Sequence, residues 1–593
     1  MIKKMSFLWK NLFIFFFTII VLKGEEVVAQ EKQACLPTDT GPVIPTTPLV
    51  IFLEKLQETA LNTYAHKGFD PKLYVDMSLR FNLSETHEAF NKLPRTDNGS
   101  VLAPHLNGFL SEYMNAAGDD LVYVEPVDFV AQPAGFLPNV DNLEVRAWAL
   151  EVHSLWKNLS RQVSDQVLDH PDLHSLLPLA SPVMIPGSRF REVYYWDSYW
   201  VIRGLLASKM YETAKGIVTN LVSLIENFGH VLNGARAYYT NRSQPPLLSA
   251  MIVDIYNRTS DLDFVRKSLP SLITEHNFWN SGIHRMNIQD SQGKTHYLSR
   301  YYAMWNEPRP ESSTIDKETA GKLSNFCEKQ HLYRELASAA ESGWDFSSRW
   351  MRNASDLTTL CTTSIIPVDL NAFILKMELD ISYLAHVSQD ESTAEHFAEA
   401  SKARQTAMNT VLWNEEMGQW LDYWIDANSS SQGTYKWKAS DQNQSVFASN
   451  FIPLWTQPFN SDDDLVDKVS KSLQHSGLLR DAGIATSLAN TGQQWDFPNG
   501  WAPLQHMIVE GLVKSGSKEA RSLAEDIAMK WINTNYAAYK KTGTMHEKYD
   551  VEKCGAFGGG GEYVPQTGFG WSNGVVLAFL EEFGWPEDLK IGC

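Results

Sequence analysis

The sequence predicts a mostly helical chain whose functional residues sit in the loops between helices. Three observations carry that expectation. Apolar residues recur at helical spacing over long stretches, alternating strand patterns of useful length are scarce, and the helical stretches are separated by loops rich in Gly, Pro, Trp and Tyr.

The helical signal is clearest in three places. Ile217, Val218, Leu221, Leu224, Ile225 and Phe228 fall on one face of a helix. Leu370, Phe373, Ile374, Met377, Ile381 and Leu384 do the same, as do Leu523, Ile527, Trp531 and Ile532. The intervening loops at 183–200, 229–246, 301–312, 491–503 and 554–573 share one mixture of aromatics, arginines and carboxylates. Core helices do not need that chemistry, so the loops are expected to build a common pocket.

Of the 593 residues, 44% are hydrophobic and 20% charged, ordinary values for a globular protein with a large core. The formal net charge of -19 argues against a nucleic-acid surface, which needs clustered Lys and Arg. No linker or low-complexity run interrupts residues 51–593, which read as one domain preceded by a flexible segment at 30–50. Residues 1–29 read as a signal peptide: Lys3, Lys4 and Lys10 precede the apolar run Leu12–Leu22. That run is shorter than the roughly 20 residues of a spanning helix. The leader is expected to be cleaved near Ala29, giving a secreted protein; retention as an anchor is the alternative. No other membrane-spanning segment is evident.

Eight N-x-S/T sequons agree with export: Asn82, Asn98, Asn158, Asn241, Asn257, Asn353, Asn428 and Asn443. Five cysteines, Cys35, Cys327, Cys361, Cys554 and Cys593, match no zinc spacing. They allow one or two disulfides with a thiol left over.

Two carboxylates have distinctive surroundings. Asp345 lies in Glu-Ser-Gly-Trp-Asp-Phe-Ser-Ser-Arg-Trp (341–350), pressed between aromatics that disfavour its charged form. That suits a general acid, although an Asp in such a place is equally readable as a helix N-cap. Glu547, in Met-His-Glu-Lys-Tyr-Asp, is unremarked by its own context. The Gly558–Gly561 run ending in Glu562 and Tyr563 allows backbone to approach a ligand, and it lacks the Lys-Ser/Thr of a phosphate loop. The stretch Gln494-Trp495-Asp496-Phe497-Pro498-Asn499-Gly500-Trp501 combines flat apolar faces with hydrogen-bonding ends, which suits sugars. Arg189, Arg242 and Arg309 lie in Gly/Pro-containing loops; together they would grip hydroxyls and hold nearby carboxylates ionised.

These segments resemble the trehalase family. Pro186-Gly187-Ser188-Arg189-Phe190-Arg191-Glu192-Val193-Tyr194-Tyr195-Trp196-Asp197 looks like the first signature of the family, with Ser188 where a glycine is usual. Residues 494–503 look like the second, and the runs at 558–563 and 568–575 also match. The resemblance, taken to the secreted, animal-type members, implies an all-α (α/α)6 barrel, or toroid, with functional loops at one end. It implies inverting hydrolysis of α,α-trehalose to two glucose molecules without metal or cofactor. By motif position Asp345 would be the general acid and Glu547 the general base, with Glu562 as its competitor for that role. Arg189, Arg242 and Arg309 match three arginines of the family. Phe190, Tyr194, Trp196, Asp197, Asn233, Gln244, Glu311 and Glu562 match substrate contacts. Both proposed catalytic carboxyls should then face one cavity with room for a water between them. The alternatives are an (α/α)6 glycosidase for another glucoside, or a non-catalytic sugar-binding relative. The Asn241 sequon overlaps Arg242, so that asparagine is expected to stay unmodified.

Overall fold

The structure is a computed structural model that describes residues 41–64, 69–97, 99–425, 430–431 and 433–593. The expected signal peptide, Cys35, and the sequons at Asn98 and Asn428 lie outside the described residues. Of the segment 30–50, residues 41–50 are described. They are docked: Ile44 N–H donates to the Met304 carbonyl at 2.9 Å, and Arg334 donates to the carbonyls of Gly41 and Pro42 at 2.9 and 3.0 Å. A helix, Pro48–Tyr64, starts inside it.

Twelve elements alternate along the chain between an outer and an inner ring. The outer helices are Leu143–Leu159, Tyr211–Phe228, Leu262–Trp279, Glu391–Val411, Asp463–His475 and Lys518–Thr542. The inner elements are Asp197–Ala207, Leu248–Thr259, Val368–Val387, the 3-10 segment Ala448–Trp455, Ala502–Lys514 and Gly570–Phe583. Each inner element packs on the next, and the last packs on the first, closing the toroid. The closing contact is tight because two glycines meet there. A Cβ on Gly574 would lie 1.9 Å from the Trp200 carbonyl oxygen, and one on Gly204 would lie 2.5 Å from Gly574 Cα.

The two rings start their helices differently. Outer helices are capped by short polar side chains: Asn142, Asp261, Asp390, Asp462 and Ser517 each accept from a first-turn N–H. The sixth, Tyr211–Phe228, borrows Asp128, whose carboxylate accepts from the N–H groups of Glu212 and Thr213 at 2.7 and 3.1 Å. Inner elements are instead entered through Trp196, Leu247, Pro367, Phe447, Trp501 and Phe569, none of which caps. Aromatic entry residues are the first sign that these ends serve something other than helix stability.

The three expected apolar faces are buried, apart from Phe228, which is 38% exposed at its helix end. The inner helix Val368–Val387 is buried nearly all round, as expected between two layers. Strands are short. The longest pair, Arg285–Gln289 with Thr295–Ser299, is antiparallel and sets Met286 opposite Leu298; Thr434–Lys436 joins it in parallel, Thr434 opposite Asn287. Asn499–Gly500 pairs antiparallel with Tyr549–Asp550, tying the 491–503 loop to the segment that carries Glu547. Cys554 and Cys593 form a disulfide, Cys327 is also disulfide-bonded, and Cys361 is a buried free thiol. Among the described residues, no helix is long and apolar enough to cross a membrane.

Candidate active site

The residues singled out from the sequence meet at one end of the toroid, where each chain segment turns from an outer helix back to an inner one. Five of the six such turns contribute. All thirteen predicted site residues line one cavity. The turn before Asp197–Ala207 carries Arg189, Phe190, Tyr194, Trp196 and Asp197. The turn before Leu248–Thr259 carries Asn233, Arg242 and Gln244. The long connection after Leu262–Trp279 carries Arg309, Glu311 and Asp345, and the turn before Gly570–Phe583 carries Glu547 and Glu562. Trp495 and Trp501, from the remaining turn, stack face to face with centroids 4.0 Å apart, and Trp344 stacks on Trp495 at 5.3 Å.

Asp345 does not cap a helix. It lies between the helix Phe326–Glu341 and a 3-10 turn whose cap is Ser347. Its loop is fixed from two sides. Asp496 accepts from Ser347 Oγ, Ser348 N and Ser348 Oγ at 2.9, 2.8 and 2.9 Å. Arg349, wholly buried, donates in forked fashion to Asp369 and Asp422 at 2.7–2.8 Å, so the loop is bolted to the start of an inner helix. Gln494 Nε2 donates to the Asp345 carbonyl at 2.5 Å. The Asp345 side chain keeps 29% exposure because it faces the cavity, yet protein surrounds it on every other side. Burial raises its pKa to about 7 against the pull of Arg309, with the Glu562 charge adding to the rise.

Glu547 is held by neighbours from the glycine-rich loop. Tyr563 Oη donates to its Oε1 at 2.7 Å, Gln566 N to its Oε2 at 3.2 Å, and Lys548 Nζ stands 3.8 Å away. Lys548 is buried over the Trp501 ring and donates to Gln494 Oε1 at 2.7 Å. Glu562 is committed elsewhere: Arg309 Nη2 donates to its Oε1 at 2.8 Å and Ser312 Oγ to its Oε2 at 3.2 Å. Burial lifts Asp197 to about 8, with its own backbone N–H opposing and the Glu547 and Asp345 charges adding.

The three arginines converge as expected, but each is already paired with protein. Arg189 donates to Asp70 through Nε and Nη2 at 3.0 and 2.8 Å and lies over the Tyr563 ring. Arg242 donates to Glu311 at 2.5 Å. Burial pushes the Glu311 carboxyl up, but Arg242 and Arg309 outweigh it and hold it below its ordinary value. Asp345 and Glu562, by contrast, end above theirs, so the arginines do not keep every nearby carboxylate ionised. Burial dominates there.

Tyr194 Oη and Tyr239 Oη share a 2.7 Å hydrogen bond, and Gln244 Oε1 accepts from Trp196 N at 3.1 Å. Tyr239, Ser312, Phe569 and Trp571 also line the cavity but were not picked out individually from the sequence. Tyr239 sits between Asn233 and Arg242 in a loop already flagged, and Trp571 lies in the 568–575 run; position within those motifs was the available signal. No cluster of three or more metal-ligating side chains occurs among the described residues.

An all-helical double ring whose turn-bearing end gathers carboxylates, arginines and stacked tryptophans defines a glycoside hydrolase of the (α/α)6-barrel class. The trehalase family model matches residues 67–584. A trehalase of Arabidopsis thaliana is 58% identical over 557 residues, covering 93% of this chain and 89% of the relative. The trehalase of Homo sapiens is 40% identical over 519 residues, covering 87% and 86%. The solved neutral trehalase Nth1 from Saccharomyces cerevisiae shares the fold with TM-score 0.54 at 24% identity, over 69% of this chain and 77% of that one. The chain belongs to the trehalase family. The expected affinity with animal-type members is not supported, because the plant relative is the more similar by 18 percentage points (58 against 40).

Proposed function

We infer that this enzyme hydrolyses α,α-trehalose to two glucose molecules, with inversion at one anomeric carbon, and that Asp345 and Glu547 do the chemistry. The observation that carries the reading is that both carboxyls line one cavity while their surroundings differ. Asp345 has a pKa near 7, suited to delivering a proton, whereas Glu547 is set among hydrogen-bond donors and beside an ammonium group. Trehalose joins two anomeric carbons and has no carbonyl to attack. Cleavage therefore needs protonation of the bridging oxygen by Asp345 as one ring takes on oxocarbenium character. A water deprotonated by Glu547 then adds from the opposite face. Glu562 is the weaker candidate for the base, because Arg309 and Ser312 occupy both its oxygens. The stacked tryptophans offer flat surfaces to the C–H faces of the sugar. The paired arginines and Asn233, Gln244 and Asp197 offer donors and acceptors to its hydroxyls.

Anomer-resolved NMR of fresh product tests the inversion: one α- and one β-glucose are expected per trehalose, whereas retention would give only α. Near-wild-type turnover by Asp345→Asn would falsify the acid assignment.

We further propose that the enzyme is exported, with residues 1–29 removed, and carries N-glycans. Supporting this, Asn82, Asn158, Asn257 and Asn353 are exposed, and Cys554–Cys593 is a disulfide, a bond typical of oxidising compartments. Asn241 is 3% exposed beside the cavity and is expected to be bare. N-terminal sequencing and glycopeptide mass spectrometry of protein from its own cells check both; a glycan on Asn241 of active enzyme contradicts the site.

A further inference from the structure

We propose that Asp316, a residue outside the cavity, is a positioning residue that holds the Arg309 guanidinium beyond hydrogen-bonding distance of Asp345, so that the acid retains its proton until it is needed. The proposal rests on Asp345 being the general acid, as argued above.

Arg309 poses a problem for that acid. It is 1% exposed, its Nη1 lies 3.9 Å from Asp345 Oδ2, and its guanidinium sits 5.0 Å from the Phe346 ring centre. A buried cation free to close that gap would form a hydrogen-bonded ion pair and leave Asp345 as carboxylate, useless as a proton donor. Asp316 prevents the closure geometrically. Its Oδ1 accepts from Arg309 Nη2 at 2.6 Å, and its Oδ2 accepts from Arg309 Nε at 3.0 Å and Arg309 N at 2.8 Å. With Glu562 taking the second Nη2 contact, only Nη1 is left to face the acid. Forked pairing to both Nε and Nη2 fixes the plane of the guanidinium, which a point charge would not do.

Asp316 is itself immobile. It is fully buried in the first turn of the helix Ser313–Ala320. That helix is anchored by Gln57, whose Oε1 accepts from Ser313 Oγ and whose Nε2 donates to the carbonyls of Pro310 and Pro71, each at 2.8 Å. Two of that buried amide's three hydrogen bonds are therefore made to the segment that carries Arg309 and Glu311, and the third ties it to Pro71. The other charged and titratable groups around Asp345 are Glu562 and Tyr563 from the glycine-rich loop, Glu547 on the same cavity, Arg242, Asp197 and Lys548. None of them holds Arg309 by both Nε and Nη2.

The test is the pH profile of kcat/KM, whose descending limb reports the acid in the free enzyme. For Asp316→Asn, loss of the carboxylate frees the guanidinium. The limb is expected to move to lower pH by about half a unit or more, with activity preserved on its acid side. Asp316→Glu keeps the charge and the fork, so its limb should stay at the wild-type position even if kcat falls. Should the asparagine variant not fold, Asp316→Ser takes its place with the same expected shift, since one hydroxyl cannot hold both nitrogens. A limb that stays put in the neutral variants, with activity reduced equally at every pH, would reduce Asp316 to a structural brace and overturn the proposal. A limb displaced equally in Asp316→Glu would also overturn it. An active Asp345→Asn enzyme measured alongside would instead remove the acid assignment, so the two failures are distinguishable.

Discussion

At the scale of single residues, Asp345 owes its chemistry to its surroundings. Burial holds it near 7, so a protonated fraction persists at neutral pH. Turnover should therefore fall as pH rises through about 7, and this limb should vanish with the residual activity of Asp345→Asn. That variant should lose about 10²–10⁴-fold in kcat with KM little changed. Tyr563→Phe removes a donor from Glu547 and should cost about tenfold in kcat, again with a small change in KM. Asp345 was readable in the sequence as a desolvated carboxyl because its aromatic neighbours are adjacent in the chain. Glu547 was not. Its partners are Tyr563 and Gln566, on the far side of a glycine-rich loop, and only the motif resemblance picked it out. Asp70 and Asp316 escaped altogether: each matters through one arginine, and neither lies in a stretch with unusual composition.

At the scale of elements, apolar residues recur at helical spacing in both rings, but outer helices start on polar caps whereas inner ones such as Val368–Val387 and Gly570–Phe583 are buried nearly all round. Their amphipathic pattern made the helices legible, but the sorting into two rings shows in sequence only through these starts and the apolar content of each helix. That distinction comes from how often both faces are covered, as along Val368–Val387. The loops told more than the helices did, since the five stretches flagged by composition all reach the cavity. The glycines of the inner ring give a direct test. In Gly574→Ala, the new methyl group meets the Trp200 carbonyl, which is backbone and cannot step aside. We expect a loss of about 3 kcal/mol or more in denaturant unfolding, while alanine at the open position Gly516 should be milder even though its positive φ adds strain.

At the scale of the whole molecule, buried ionisable groups set the pH range of stability. Glu275 and Asp197 are lifted to about 8, and Glu54, Glu341 and Asp345 to about 7, in each case chiefly by burial. Folded protein then holds protons that unfolded chain has released, so stability is lost as pH climbs through those values. Burial depresses His230 and His506 to about 4 and His284 to about 3, and they act in the opposite direction. The folded form binds fewer protons there, so their contribution grows as pH rises toward the ordinary histidine value near 6.5. At pH 6.5 the unfolded histidines are already half neutral, so their contribution levels off just above that value while the carboxyls, more numerous, still titrate. Thermal midpoints should therefore decline between pH 6.5 and 8; a flat or rising curve there would contradict the burial of these acids.

The meeting of Gly204 with Gly574 also has a bearing on biosynthesis. The two residues are 370 positions apart (574 minus 204), and the helix that completes the circle follows every other ring element along the chain. A nascent chain stalled on the ribosome near residue 560 would already contain every outer helix and five of the six inner elements. It would still show Trp200 and its neighbours to water instead of to a partner. Contacts this distant in sequence are slow to form and leave apolar surface open meanwhile. Release of the final turn should thus coincide with a sharp gain in protease resistance, detectable on arrested chains of graded length. Until then the cell has in effect an unclosed clasp to guard.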